Sequence, residues 1–209
     1  MEDPYLYPNR ETLINLLNET DEARFNNIEA DYTVLRIKEL LDNPIIGNFD
    51  FHHLCMVHRH IFQDIFEWAG KIRIINIEKA EEALSGLSIE YTDVFDIVRY
   101  SDSVLLKMKS INWDSLSNEE KSATFAECAT DLWKIHPFRE GNTRTIITFC
   151  CDFAEKRGFP LDRELFKDNS AYVRRALVAS SAFFKELGDK RKPEFLVNFI
   201  YDAIHRARP

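Results

Sequence analysis

Apolar residues recur at helical spacing through almost the whole chain, and only the stretch from Ile72 to Tyr91 departs from that pattern. Leu6 to Leu17 mixes turn residues with a short helix. Thr20 or Asp21 can then cap a helix reaching Leu41, with Ile28, Tyr32, Leu35, Leu40 and Leu41 roughly in register. Asn43-Pro44 ends it, because the residue before a proline is pushed out of the helical region. Phe51 to Trp68 carries Leu54, Val57, Ile61, Ile65 and Trp68 on one stripe, and Gly70 stops it. Further on, Asp93 to Lys109 is helical, and Ser117 with Glu120 three residues later forms a capping box. Ala123–Ile135 and Thr143–Arg157 flank a short loop, and Gly158-Phe159-Pro160 closes the second of them. Leu165 to Leu187 holds one or two helices, and Pro193 opens a last one to about His205.

The exceptional stretch is extended in character. Ile72, Ile74, Ile75 and Ile77 are β-branched, Ala83 to Gly86 can turn the chain, and Leu87, Ile89 and Tyr91 alternate on the return. The expectation is an all-α bundle with one short β-hairpin. At 209 residues this is a single domain, long enough to bury roughly 70% of the surface its unfolded form exposes. No internal repeat or linker interrupts it, and the sixteen phenylalanines read as core.

Composition narrows the function classes. No run of about 20 apolar residues is available for a membrane span. The acidic, polar N-terminus lacks a signal pattern, so the expected compartment is the cytoplasm. Cys55, Cys128, Cys150 and Cys151 lie in helical apolar patterns without CxxC spacing and read as reduced thiols. A net charge of −8 argues against a nucleic-acid partner, which needs a basic stripe. Lys190 to Lys192, Arg206 and Arg208 read as solvated helix-end charges. His52, His53, His58 and His60 are not spaced for a shared metal. A small anion, by contrast, needs only a local positive pocket.

The loop between the two flanking helices reads His136-Pro137-Phe138-Arg139-Glu140-Gly141-Asn142-Thr143-Arg144. It gathers a possible general base, a carboxylate, a glycine, an amide and a cation, and it feeds into a helix N-terminus. Free N–H groups and the positive dipole end make such a terminus a seat for anions. That set is what phosphate transfer needs. Phe138 reads as an apolar anchor, Arg139 as facing water, and Pro137 as holding His136 extended.

The same run resembles the signature of the Fic family, His-x-Phe-x-(Asp/Glu)-Gly-Asn-x-Arg-x-x-Arg. The match is nearly complete from His136 to Arg144. It departs at Thr143, commonly Gly, and at Ile147, where the family has its last Arg. Ile61 to Arg73 is similar to the family segment before an active-site flap, Asn76-Ile77-Glu78-Lys79 to the flap itself, and Asp3 to Pro8 to the usual lead-in. The resemblance therefore covers most of the chain. It divides the single domain into a helical lead-in over 1–50 and a core over 51–209, with a flap at about 72–91 and the motif loop at 136–144.

The resemblance implies a Fic-type bundle with a hairpin flap and an enzyme that moves AMP from ATP to a Ser, Thr or Tyr hydroxyl of a target protein, with self-modification as an added outcome. It implies His136 as general base and Glu140 as the ligand of Mg²⁺. Gly141, Asn142, Thr143 and Arg144 would hold phosphate, and Asn169 and Tyr172 would contact the nucleoside. The target would add as an extended segment along Ile75, Asn76, Ile77, Glu78 and Lys79. Two other readings stay open: a phosphotransferase like the related Doc toxins, and a non-catalytic binding module. Family members also carry an inhibitory Glu that pairs with the last motif Arg. Glu29 is a partial echo of it, and Ile147 removes that partner. The sequence thus predicts no internal lock, and leaves an antitoxin-like inhibitor or a homo-oligomer as further partners.

Overall fold

The computed structural model describes residues 3–207, built from eight α-helices and one pair of short strands. Local chemistry sets most boundaries. Helix α1 (Glu22–Asp42) starts at Asp21, whose carboxylate accepts the Arg24 N–H at 2.8 Å. Helix α2 (Phe51–Phe62) starts the same way at Asp50, which accepts from His53. Helix α3 (Ile97–Ser110) is followed by α4 (Asn118–Ile135), where the capping box of Ser117 and Glu120 makes both its bonds. Helix α5 (Asn142–Lys156) leads through α6 (Arg163–Asp168) to α7 (Ser170–Ser181). Strands β1 (Phe183–Phe184) and β2 (Gly188–Asp189) pair antiparallel, and α8 (Glu194–Arg206) follows Pro193.

Helix α4 is the hub and packs against α3, α5, α7 and α8. Leu132 and Trp133 from α4 and Ile146 and Phe149 from α5 are fully buried in one core. Each such side chain contributes about 1.5–3 kcal/mol by leaving water, which is why the two helices flanking the motif loop are held firmly. Most phenylalanines do join this core, while Phe95, Phe183 and Phe195 are exposed. All four cysteines are free, and burial pushes Cys128 up to about 11, so its thiol is a poor nucleophile. Among the described residues no helix is long and apolar enough to cross a membrane.

Three expectations change. No helix forms between Leu6 and Leu17, where the chain turns back and Leu6 bridges Leu13. Helix α2 stops at Phe62 rather than Trp68, and the chain reaches Gly70 through turns. The pair of strands is not at 72–91 but at 183–189. Residues 72–81 and 87–91 are extended on either side of a short 3-10 turn at Glu82–Leu84, and backbone bonds cross only beside that turn, from Glu81 N–H to the Leu87 carbonyl at 3.1 Å and from Gly86 N–H to the Glu81 carbonyl at 3.0 Å. Side chains take up groups a ladder would have used: Arg73 donates to the Ile75 carbonyl and the Asn76 side chain accepts from Val94 N–H.

Candidate active site

The motif loop joins α4 to α5 and is tied from several directions. His136 is the C-cap of α4 and adopts a left-handed conformation, φ 51° and ψ 59°. Pro137 therefore does not hold it extended; the helix-ending turn, with the His136 N–H on the Trp133 carbonyl, decides its shape instead. Arg73, itself buried, donates from Nε to the His136 carbonyl at 2.9 Å, and its backbone N–H donates to the Pro137 carbonyl. His58 accepts the Gly70 N–H at Nδ1, 2.8 Å, so its Nε2 carries the proton and donates to the Glu140 carbonyl at 3.1 Å. Burial drives its pKa down to about 3, which keeps it neutral. Arg73 and His58 position the loop, and neither role is visible in the local sequence. Arg73 does sit at the end of the family-like segment, the one signal that pointed there.

Several motif residues turn inward. Phe138 is fully buried and stacks on His58 with ring centroids 3.8 Å apart. Asn142 closes the loop on itself: its amide accepts the Phe138 N–H at 2.9 Å and donates to the Phe138 carbonyl at 2.7 Å. Its side chain is thus spent on the loop rather than offered as a free donor. The Thr143 hydroxyl likewise accepts from the Trp133 indole at 2.9 Å. Gly141 has φ 79°, and a Cβ there would lie 2.1 Å from the Phe62 ring. Glycine is required by that packing and that backbone. Arg139 does not face water; it grips Asp3 at 2.6 Å.

What remains available is backbone. The first bond within α5 is Thr145 N–H to the Gly141 carbonyl, so the N–H groups of Asn142, Thr143 and Arg144 precede the helical ladder. No acidic residue occupies the first turn and no side chain caps it. Beside this terminus stands His136, with 1% of its surface exposed. Its Nδ1 faces the Trp133 carbonyl at 3.3 Å, and a carbonyl only accepts, so Nδ1 carries the proton and Nε2 keeps its lone pair. That Nε2 is buried and has no partner among the described residues. Burial, with the Lys79 ammonium nearby, holds the imidazole well below its usual pKa. The Tyr91 ring lies on it at 4.1 Å and Trp133 meets it edge-on.

Glu140 is the half-buried carboxylate of the site. Burial raises its pKa, but Lys79 at 2.8 Å, the Gly141 N–H at 2.9 Å and Arg144 outweigh that and bring it to about 2. The carboxylate is thus ionised and already carries a cation. Among the described residues no group of three or more ligating side chains gathers anywhere. A lone carboxylate fits Mg²⁺, which takes one or two of them and fills its shell with water and substrate phosphate. Arg144 is not free for phosphate here. Both its terminal nitrogens hold Glu29, at 2.7 and 2.6 Å, and one also reaches Thr33. Glu29 has therefore found a cation despite Ile147, which packs against the core. A cavity of about 260 Å³ opens here, lined in part by Glu11, Glu22, Glu29, Glu140, Arg139 and Arg144.

The remaining predicted residues lie elsewhere. Asn169 ends α6 and donates to the Leu165 carbonyl, while Tyr172 packs on Phe199. Neither bonds to the motif loop among the described residues. In the flap, Ile75, Ile77 and Lys79 are half-buried while Asn76 and Glu78 are exposed, the alternation of an extended strand. Among the described residues the N–H groups of Ile75, Asn76, Ile77 and Glu78 have no protein acceptor.

Comparison with known proteins agrees with this geometry. The protein adenylyltransferase VbhT of Bartonella schoenbuchensis is 31% identical over 160 residues, 77% of this chain but only 32% of that protein. The probable protein adenylyltransferase y4lH of Sinorhizobium fredii is 32% identical over 166 residues, 78% of this chain and 80% of that one. The N-terminal FIC domain of Bep8, an effector of Bartonella sp. 1-1C, superposes with a TM-score of 0.76 at 25% identity, covering 95% of this chain and 93% of its own. Residues 48–154, just over half of the chain, match the Fic/DOC family. That stretch holds α2, the flap, α4, the motif loop and nearly all of α5, the parts from which the site is built, and the chain belongs to the Fic/DOC family.

Proposed function

We propose that the chain transfers AMP from ATP to a Ser, Thr or Tyr hydroxyl of a protein. The observation that carries this reading is the unpartnered Nε2 of a neutral His136 beside the uncapped N-terminus of α5. Nε2 would take the proton of the incoming hydroxyl as its oxygen attacks the α-phosphate, and pyrophosphate would leave. The N–H groups of residues 142–144 would hold the phosphate oxygens as charge develops, without reorganising. A divalent ion such as Mg²⁺, when bound at Glu140, would neutralise phosphate charge. The side chains of Asn142 and Phe138, and the glycine at 141, keep the loop in shape, so that Asn142 would meet phosphate through its backbone N–H alone. Asn169 and Tyr172 remain a proposed edge of the nucleoside site, and nothing in their contacts adds support.

The target would add as a strand along residues 75–78, whose free N–H groups favour that mode. VbhT and y4lH are called protein adenylyltransferases, which fits a protein as acceptor. Four free thiols suit a reducing compartment, and the reading places the protein in the cytoplasm. It takes the chain as one domain, with residues 1–50 as lead-in. The test is incubation of the protein and a cell lysate with ATP labelled at the α- or the γ-phosphate. Label on protein from α-labelled ATP alone is expected. Label from γ-labelled ATP alone would replace this reading with phosphotransfer. No label from either, with no nucleotide bound, would leave a binding module.

A further inference from the structure

The flap does more than border the site; its side chains fasten it over the site. Lys79 Nζ sits 2.8 Å from Glu140 Oε2. Two residues on, Glu81 is buried and pairs with Arg174 of α7 at 2.7 Å, and the same carboxylate oxygen accepts from the Tyr91 hydroxyl at 3.3 Å. The Tyr91 ring then lies on His136 at 4.1 Å, and Nε2 of that histidine is shut away from solvent. A base that must meet a hydroxyl on another protein cannot work in this arrangement. The segment between Lys79 and Tyr91 has to move. Its arms are joined to each other by backbone bonds only beside the turn, at Glu81, and by Lys79 N–H on the Ser88 hydroxyl, so it can move as one piece.

We infer that Lys79 is a latch, holding the flap shut by standing on Glu140 where a divalent cation would bind, so that loading this cation releases the flap and uncovers His136. The inference rests on the reading of Glu140 as the metal carboxylate. Glu140 Oε1 accepts the Gly141 N–H and Oε2 carries the ammonium. A divalent ion drawn to this carboxylate must therefore settle beside an ammonium already in contact with it. Two positive charges within contact distance of each other also repel, which drives the ammonium away once the ion is in place. The Glu81–Arg174 pair, with Arg174 partly exposed, and the exposed Glu90 contact with the Lys185 N–H would be left to hold the flap. That repulsion would shift the site from a metal-free closed state toward a loaded open one.

The test is amide hydrogen exchange of residues 77–91 in the full chain with ADP, with and without Mn²⁺, alongside Mn²⁺ titration in the presence of ADP. Wild type is expected to exchange there about fivefold faster once Mn²⁺ is added, the factor expected for losing one partly exposed ion pair. Lys79→Met is expected to exchange fast with ADP alone, to gain nothing from Mn²⁺, and to bind Mn²⁺ about fivefold more tightly. Lys79→Arg, which keeps the pair, is expected to behave as wild type, and thermal melts check that each variant is folded. If wild type binds Mn²⁺ but its flap does not respond, or if Lys79→Met matches wild type throughout, the latch is wrong while the metal reading survives. If wild type binds no Mn²⁺, or Glu140→Gln binds it equally well, both fall together.

Discussion

Arg144 holds Glu29 with both ends of its guanidinium, at 2.7 and 2.6 Å, across the gap between α5 and α1. The two residues are far apart in sequence, and the pair fixes the one motif cation that the chain retains after Ile147 replaces the other. An arginine so engaged has no free fork for phosphate. Glu29→Gln keeps the volume and removes the charge. It is expected to tighten ATP binding by about tenfold, as Arg144 becomes free for a phosphate oxygen. The Tm should fall by about 2–4 °C, the shift that follows from losing roughly 1 kcal/mol in a chain of this size. Calorimetric titration and a thermal melt measure the two effects. Unchanged ATP affinity would mean that the pair is a strut between α1 and α5 and nothing more.

Gly141→Ala is expected to damage folding. Its Cβ would lie 2.1 Å from the Phe62 ring, and its φ of 79° is unfavourable for alanine. Overpacking and backbone strain together are expected to cost about 2–4 kcal/mol. Phe62→Leu removes the clashing ring edge, so the double variant should be less destabilised than the two singles added together. Urea unfolding of all three measures this. Simple additivity would show that Phe62 is not what demands glycine there.

Acid should unfold the protein early. His58 is held neutral down to about 3 by burial, and His136 is also driven well below its usual value. In the unfolded chain both protonate near pH 6.5, so below that the unfolded state binds more protons and stability falls with pH. The loss begins near pH 6.5 and for His58 continues toward pH 3, at about 1.4 kcal/mol per unit. His136 adds a loss of the same sign. Glu140, depressed to about 2, adds a second loss below about pH 4.5. Urea unfolding free energies at pH 7.5, 6 and 5 should show the first slope. A flat profile over that range would contradict the burial of neutral imidazoles.

The sequence was legible where the chemistry is local. Asp21, Ser117 with Glu120, and Pro193 each mark a helix start because a capping bond or a missing N–H acts over three or four residues. The motif loop was legible as a set of residue types in one run. Their directions were not. Asn142 folds back onto Phe138, Thr143 onto Trp133 and Arg139 onto Asp3, and each partner lies on a different element or turn. The Arg144–Glu29 pair, and the placing of Arg73 and His58 behind the loop, depend on how α1 and α2 pack, which periodicity does not specify. The extended character of 72–81 is legible in its β-branched isoleucines. Whether the stretch 72–91 pairs as strands depends on which side chains claim its backbone groups: Arg73 donates to the Ile75 carbonyl, and the Asn76 amide oxygen takes the Val94 N–H just beyond the stretch.

Ile77→Pro removes one of the free flap donors without breaking an internal bond. Modification of a target protein is expected to fall by about tenfold, as if one strand-addition hydrogen bond were lost. Self-modification at sites that do not use the flap is expected to persist. Quantitative mass spectrometry of both products compares them. Equal loss of the two, with an unchanged melt, would assign the flap to nucleotide binding instead of target docking.

The central claim is that Nε2 of His136 takes the proton from the acceptor hydroxyl. The most direct measurement is the single-turnover rate of AMP transfer for wild type and His136→Ala, with ATP affinity measured on the same samples. The account predicts a fall of about 10²–10⁴ in rate, the usual cost of removing a general base, with ATP affinity within about threefold of wild type. An unchanged transfer rate in a folded His136→Ala protein that still binds ATP would contradict it.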